Sequence, residues 1–496
     1  MSFKINPMSL ADFYKVSHPF QYPAKTEYVH SNFTPRKSRM PGVDRMVFFG
    51  FQAFCKAYLE DYFNENFFKL SKAEAVASFE RRMQTSLGGL ASYAHIEALH
   101  DLGFLPVCIK AVPEGTPVPM RCAALTIVNT DARFAWVTNF LETLMSDSIW
   151  QACTSATIAH EYRKLLDRHA RLTGMPLEFV PWQGHDFSMR GMSSLESAYL
   201  SGMGHLLSFT GTDTIPAIDA LEYFYEADAE KELIGGSVPA SEHSVMCCGG
   251  TDGEEETYRR LITKVYPAGI VSIVSDTWDL WSVCTRTLTA LRAEILARDG
   301  KVVIRPDSGD PADILCGDAA SSDARARKGV VELLWDVFGG SVTQRGYRLL
   351  DNHIGAIYGD SITLERADDI CRRLAGKGFA SQVVFGIGSY TYQYNTRDTF
   401  GTAIKATWVQ IDGVKKAIFK APKTDDGTKN SAMGLLHVDL KPGTNELIMT
   451  DNVSEEQESK GLLQPVWENG HFVRRQTLAQ IRAVLARHRA EDVWLD

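Results

Sequence analysis

The residues able to do chemistry lie in five short polar clusters. They are 185–191 (HDFSMRG), 209–214 (FTGTDT), 237–244 (SVPASEHS), 304–309 (IRPDSG) and 358–360 (YGD). Together they hold Arg190 and Arg305, His243, the carboxylates Asp213, Asp307 and Asp360, and several glycines. Arginine forks and glycine amides suit phosphate oxygens, while carboxylates suit Mg²⁺ and ribose hydroxyls. The chemistry implied is the handling of a phosphorylated sugar or nucleotide. Common alternatives fail at their motifs: there is no G-x-x-x-x-G-K-[ST], H-E-x-x-H or G-x-S-x-G. The set Gly386, Ile387, Gly388, Ser389 lacks the third glycine of a dinucleotide fingerprint.

Such clusters need elements that bring them to one place. Over 176–392, short apolar runs recur, each ending in polar or glycine residues: 206–212 before Asp213, 270–274 before Ser275, 302–304 before Arg305, 354–358 before Gly359 and 383–385 before Gly386. Between two of them Leu280, Cys284, Leu288, Leu291 and Ile295 share a helical face, ended by Gly300. Strands alternating with helices mean parallel pairing, because a parallel neighbour needs a crossover. Polar residues at the carboxyl ends of such strands are what a (β/α) barrel presents on its active face. The spacing therefore favours an α/β chain with a barrel-like domain, although an open doubly wound sheet gives similar strings.

The flanks read differently. Up to about 175 the chain mixes extended stretches (26–33 and 107–128) with a helix over 134–152. After 393, turn residues at 412–413, 442–443 and 469–470 separate paired apolar runs, as in hairpins, and a helix carrying Leu478, Ile481 and Leu485 closes the chain. We expect one discontinuous α+β domain from 1–175 plus 393–496, with the barrel at 176–392 inserted between its halves.

Composition sets the outer limits. The 496 residues are 45% hydrophobic and 23% charged, and 52 basic against 61 acidic side chains give a net charge of −9. That balance argues against nucleic acid as a partner, since a basic face supplies most of such affinity. No apolar run approaches the roughly 20 residues needed to cross a bilayer, and the N-terminal segment lacks a secretory pattern, so no membrane partner is expected. Nine scattered cysteines without a C-x-x-C read as reduced thiols and a cytoplasmic protein.

The clusters, in this order, resemble those of the nicotinamide phosphoribosyltransferases, within the closed-barrel (type II) phosphoribosyltransferase family. The likeness runs almost end to end, through 12–18 (DFYKVSH), 21–23 (QYP), 111–115 (AVPEG), 128–131 (VNTD) and 396–398 (TRD). The resemblance implies synthesis of nicotinamide mononucleotide and pyrophosphate from nicotinamide and phosphoribosyl pyrophosphate in NAD salvage. It also implies Mg²⁺, ATP as co-substrate, and a homodimer with active sites at the subunit interface. Phe187 should stack on one face of the pyridine ring and Tyr14 of the partner subunit on the other, with Asp12 also at the nicotinamide site. Asp213 should accept a hydrogen bond from the carboxamide and repel a carboxylate, favouring nicotinamide over nicotinate.

By the same resemblance Arg190 and Arg305 bind phosphates, with Arg305 also near the carboxamide. Asp307 and Asp360 hold ribose hydroxyls or Mg²⁺, and Gly359, Gly388 and Ser389 face phosphate oxygens. His243 is the residue phosphorylated by ATP, with Asp279 as the carboxylate orienting it. Arg397, Lys405, Lys420, Lys429 and a partner-supplied Arg36 surround the sugar phosphate and the ATP phosphates. Two departures stand out: Ser389 and Tyr390 interrupt a glycine run, and Ser188 and Met189 replace a glycine–aromatic pair beside Phe187. The alternatives are a nicotinate phosphoribosyltransferase, a barrel glycoside hydrolase using Asp307 and Asp360, and a non-catalytic binding protein on the same fold.

Overall fold

A computed structural model describes residues 4–425 and 427–492. The described residues divide into two compact units, one of 4–157, 220–227 and 395–491 and the other of 158–219 and 228–394. The first division point falls within the helix Glu142–Thr173 rather than at its end near 175. The helix Ile215–Tyr225 likewise contributes its last residues to the first unit.

The first unit is built on a seven-stranded sheet. Its neighbours run Val414–Ala417, Ala403–Ile411, Thr26–Thr34, Leu125–Asn129, Val107–Ala111, Gln464–Glu468 and His471–Phe472. Every pairing is antiparallel. N-terminal and C-terminal strands are thus interleaved in one sheet. The hairpin turns sit where the sequence placed them: Asp412 and Gly413 (φ 50° and 74°) and Asn469 and Gly470 (φ 49° and 85°) adopt the left-handed conformations of a tight two-residue loop. A large apolar core packs here, with Phe33, Ile109, Ile127, Phe51 and Trp467 all essentially inaccessible.

The second unit holds six parallel strands in the order Gly211–Thr212, Gly184–Asp186, Val383–Ile387, Ile354–Tyr358, Val302–Arg305, Val271–Val274. The two edge strands are joined by an irregular stretch. Gly236 bridges in parallel to Gly211, and Ala240 bridges in parallel to Ser272. Backbone hydrogen bonds from Thr212 to Gly236 and from Ser272 to Pro239 close the ring. Pro239 has no N–H to donate, which explains why this stave is not a regular strand. Following the chain, each stave is next to its successor, and helices fill the crossovers; this is the barrel the alternation implied. The strand cores (Val271, Ile273, Val302, Ile304, Ile354, Val383, Phe385) are fully buried, as parallel strands covered on both faces require.

One stretch differs from expectation. The run 206–212 reads as a strand, yet the helix Leu195–His205 passes directly into a turn over 206–208, and only Gly211–Thr212 is extended. An apolar run buried on every side carries no periodicity to separate helix end from strand.

Candidate active site

The carboxyl ends of the barrel staves carry Phe187, Asp213, Ser241, Asp276, Arg305 and Gly359. A cavity of about 520 Å³ opens among them, lined by Phe187, Met189, Arg190, Asp213, Ala240, Ser241, Glu242, Arg305, Asp307 and Gly359. Six residues singled out from the sequence therefore meet at one place.

Two glycines allow this. A Cβ at Gly386 would lie 2.5 Å from the Phe187 ring and 2.8 Å from the Gly359 Cα, and one at Gly359 would lie 2.7 Å from Oδ1 of Asp307. Glycine at both positions lets the Phe187 ring settle onto the strand ends with Asp307 beside it. The Phe187 N–H donates to the Ile387 carbonyl (3.0 Å), and its ring leans on His185 with centroids 4.7 Å apart.

Asp213 is held through one carboxylate oxygen. Its Oδ1 accepts from His185 Nε2 (2.8 Å) and from the Ser237 hydroxyl (2.6 Å). Oδ2 has no protein partner among the described residues. Burial works against ionisation, yet the hydrogen bonds from His185 and Ser237, then the His185 and Arg305 charges, hold the carboxyl below its usual range. Asp213 is therefore an anion at neutral pH. The Arg305 guanidinium donates to the Ser241 carbonyl (2.6 Å), while its buried Nε has no partner among the described residues.

His243 begins the helix His243–Gly249, and its Nε2 lies 3.2 Å from Oδ1 of Asp276. Asp276 also accepts from the Asp307 N–H (2.9 Å) and the Ser308 hydroxyl (2.6 Å). Burial opposes ionisation of Asp276, but these bonds, with Ser308 foremost, keep its carboxyl below the ordinary value. Asp279, expected beside His243, is placed elsewhere. It caps the next helical turn by accepting from the Ser282 N–H (3.0 Å) and faces Arg325 at 3.6 Å. The carboxylate that meets His243 is thus Asp276 and not Asp279: two residues past the strand Val271–Val274 the chain still faces the site, and three residues later it has turned to cap the next helix.

Asp360 is exposed, its Oδ2 accepting from the Ser361 hydroxyl (2.8 Å). Gly388 precedes the helical turn Ser389–Tyr392, and a Cβ at Gly191 would overlap the Ser389 side chain. The serine that interrupts the glycine run thus occupies room that Gly191 leaves for it.

The other predicted cations lie in the first unit. Arg36, Lys405 and Lys429 line a separate cavity of about 210 Å³ together with Arg121, which the sequence reading missed. Burial, then the positive charges of Arg36, Lys420 and Lys15, pull the Lys405 ammonium below its ordinary value, with Glu142 opposing. Such crowding of like charge suits an anion. Arg397 is half exposed beside Asp398 (3.3 Å). Tyr14 and Phe13 are exposed (58% and 52%), and Asp12 accepts from the Thr143 hydroxyl (2.8 Å). Ser237 and Ser241 lay within a quoted cluster without a role, and Asp276 had not been singled out. His185 lay within a quoted cluster but had been given no role.

Metal donors are sparse: no group of three or more His, Cys, Asp or Glu capable of holding a metal occurs among the described residues. No helix among them is long and apolar enough to cross a membrane.

Comparison with known proteins agrees with this geometry. Residues 182–471 match the Nicotinate phosphoribosyltransferase (NAPRTase) family, and residues 6–109 match the Nicotinamide phosphoribosyltransferase, N-terminal domain. A nicotinamide phosphoribosyltransferase of Acinetobacter baylyi is 52% identical over 98% of both chains. One of Xanthomonas campestris pv. campestris is 34% identical over 97% of this chain and 98% of its own. In fold alone, the crystal structure of nicotinate-nucleotide pyrophosphorylase from Pyrococcus furiosus is similar, with a TM-score of 0.58 over the whole of both chains at 14% identity. On the strength of the near full-length likeness, this chain belongs to the nicotinamide phosphoribosyltransferase family.

Proposed function

We propose that this chain transfers the phosphoribosyl group of phosphoribosyl pyrophosphate to the ring nitrogen of nicotinamide, releasing pyrophosphate, as a step of NAD salvage. The observation that carries this reading is the Asp213 carboxylate. It is ionised, held through one oxygen by His185 and Ser237, and set in the same cavity as Phe187, Arg190, Arg305 and Asp307. A carboxamide offers its N–H₂ to the second oxygen, whereas a carboxylate there meets like charge.

In the reaction the ring nitrogen's lone pair forms a bond to the anomeric carbon, and the C–O bond to pyrophosphate breaks with its electron pair leaving on oxygen. No proton is transferred and no protein nucleophile is needed. Phe187 positions the ring and gains cation–π attraction as the nitrogen becomes positive. Arg190 and Arg305 offset charge growing on the leaving phosphate. The donor set of Asp307, with Asp360 nearby, fits Mg²⁺, which is held by one or two carboxylates plus substrate phosphates and waters rather than by a protein cage. Bound there, the ion would neutralise charge on pyrophosphate. Gly359, Gly388 and Ser389 supply backbone and hydroxyl donors to phosphate, and Arg36, Lys405, Lys420, Lys429 and Arg397 supply cations to further phosphates.

ATP acts through His243 in this reading. Nε2–H donates to Asp276, which leaves the Nδ1 lone pair to attack the terminal phosphorus while the bond to ADP breaks. A homodimer in which the partner completes the site is supported by the exposed aromatics Phe13, Tyr14 and Phe20 on the N-terminal stretch. Nine free cysteines, two of them exposed, support a reducing cytoplasmic setting.

The test is turnover of nicotinamide with phosphoribosyl pyrophosphate and Mg²⁺, with and without ATP. Nicotinamide mononucleotide and pyrophosphate in equal amounts, with ATP stimulation, are expected. Product from nicotinate alone would overturn the substrate assignment.

A further inference from the structure

Behind the strand ends, out of reach of substrate, lies a buried side-chain pair. His205 ends the helix Leu195–His205 and is wholly inaccessible; Tyr392 ends the turn Ser389–Tyr392 and is 1% exposed. His205 Nε2 lies 2.9 Å from the Gly211 carbonyl and Nδ1 lies 2.7 Å from the Tyr392 hydroxyl. A carbonyl only accepts, so Nε2 carries the proton, and the Tyr392 hydroxyl donates to the Nδ1 lone pair. The chemistry of the partners fixes the tautomer. The ring also stacks on Phe209, with centroids 5.2 Å apart and planes 24° apart.

The two partners belong to different parts of the site. Gly211 opens the strand whose next residue but one is Asp213. Tyr392 closes the helical turn that starts after Gly388, and the following residue, Gln393, accepts from the Ser193 N–H (2.8 Å) and the Ser197 hydroxyl (3.3 Å), just beyond Arg190. On the other side Thr391 donates to the Ile362 carbonyl (2.8 Å). Side chains, rather than a run of glycines, hold this turn in place.

We infer that His205 and Tyr392 are positioning residues that fix the Gly388–Ser389 phosphate turn relative to Asp213, and so align the sugar phosphate with the nicotinamide ring. The inference rests on the reading above, in which Gly388 and Ser389 face phosphate and Asp213 faces the carboxamide. Burial lowers His205 to a pKa of about 4, so the ring stays neutral under assay conditions and acts by geometry rather than as an acid or base. Removing one donor leaves a buried acceptor unpaired while the rest of the pocket stays intact.

Tyr392→Phe, His205→Gln and His205→Leu, each measured for both KM values, kcat and thermal midpoint, test this. Tyr392→Phe is expected to raise KM for phosphoribosyl pyrophosphate about tenfold while KM for nicotinamide changes less than twofold. His205→Leu is expected to raise both. Glutamine keeps an amide N–H for the Gly211 carbonyl, so His205→Gln should restore the nicotinamide KM relative to leucine. A Tyr392→Phe enzyme with neither KM altered, or with kcat lowered only in proportion to the folded fraction, overturns the inference. Should Tyr392→Phe fail to fold, His205→Gln decides: a raised phosphoribosyl pyrophosphate KM beside a retained nicotinamide KM supports it, and equal changes overturn it. Asp213→Asn in the same assays separates the levels. If that variant leaves nicotinate discrimination unchanged, the underlying reading fails; if discrimination falls as expected but Tyr392→Phe is silent, only the positioning role fails.

Discussion

Replacing Asp213 by asparagine changes charge while keeping shape, and its consequence can be worked from the site. In the native protein Oδ1 is occupied by His185 and Ser237, so the charge sits in a fixed place and Oδ2 meets the incoming group. A nicotinate carboxylate about 4 Å away would be repelled by about 4 kcal/mol at the effective dielectric of a protein surface and about 1 kcal/mol in water. Asp213 is 47% exposed before substrate covers it, which places the penalty between those limits. We expect a penalty of about 1–3 kcal/mol, or roughly five- to 150-fold in kcat/KM. Asparagine removes the repulsion and presents an N–H₂, while Arg305, which lines the same cavity, remains to attract an anion. The variant should lose nicotinamide turnover and gain nicotinate turnover, the ratio of the two kcat/KM values shifting by that factor. The assay is competition of both substrates at fixed phosphoribosyl pyrophosphate, with both mononucleotides quantified. An unchanged ratio would refute the electrostatic basis of selectivity.

Other outcomes follow from the same contacts. Gly386→Ala places a methyl 2.5 Å from the Phe187 ring, so the nicotinamide KM should rise about tenfold through overpacking of about 1–3 kcal/mol, with ATP binding unaffected; kinetics and calorimetry check this. Asp276→Asn and His243→Ala should both abolish ATP stimulation, whereas Asp279→Asn should keep it; retention in Asp276→Asn would show that the 3.2 Å contact does not orient the histidine. Stability should fall on acidification. Burial lowers His30, His95 and His205 from 6.5 to about 4, so between those values the unfolded chain takes up protons that the native state refuses. Glu114, raised by burial to about 7, runs the opposite way, its native form keeping a proton that the unfolded chain releases above 4.5. Three groups outweigh one, so the thermal midpoint should drop from pH 7 to pH 5. Glu114→Gln should gain about 1–3 kcal/mol at pH 8 and nothing near pH 4.5, read by thermal unfolding at each pH.

Much of the site was legible because charged residues closing apolar runs are arranged by a simple rule: parallel staves deliver their carboxyl ends to one face. Asp213, Arg305 and Asp307 followed from that rule, and the hairpins at Asp412 and Asn469 from turn residues that tolerate positive φ. What spacing could not tell was which of two aspartates after one strand turns inward; Asp276 and Asp279 are the same residue type only three positions apart. The closing stave over 236–240 carries Gly236 and Pro239 and no apolar run to mark it, although its backbone completes the barrel. The His205–Tyr392 pair left no trace in the sequence either, since a buried histidine and tyrosine 187 residues apart have no local pattern. Ser389 read as a loss, and only the space opposite it, at Gly191, shows how a side chain is accommodated.

The most direct measurement is a crystal structure of the protein with nicotinamide bound. The ring should lie against Phe187 with its amide nitrogen within hydrogen-bonding distance of Oδ2 of Asp213, and the His185 and Ser237 contacts to Oδ1 should be kept. Nicotinamide bound with its carboxamide directed away from residue 213, or held outside this cavity, would contradict the account.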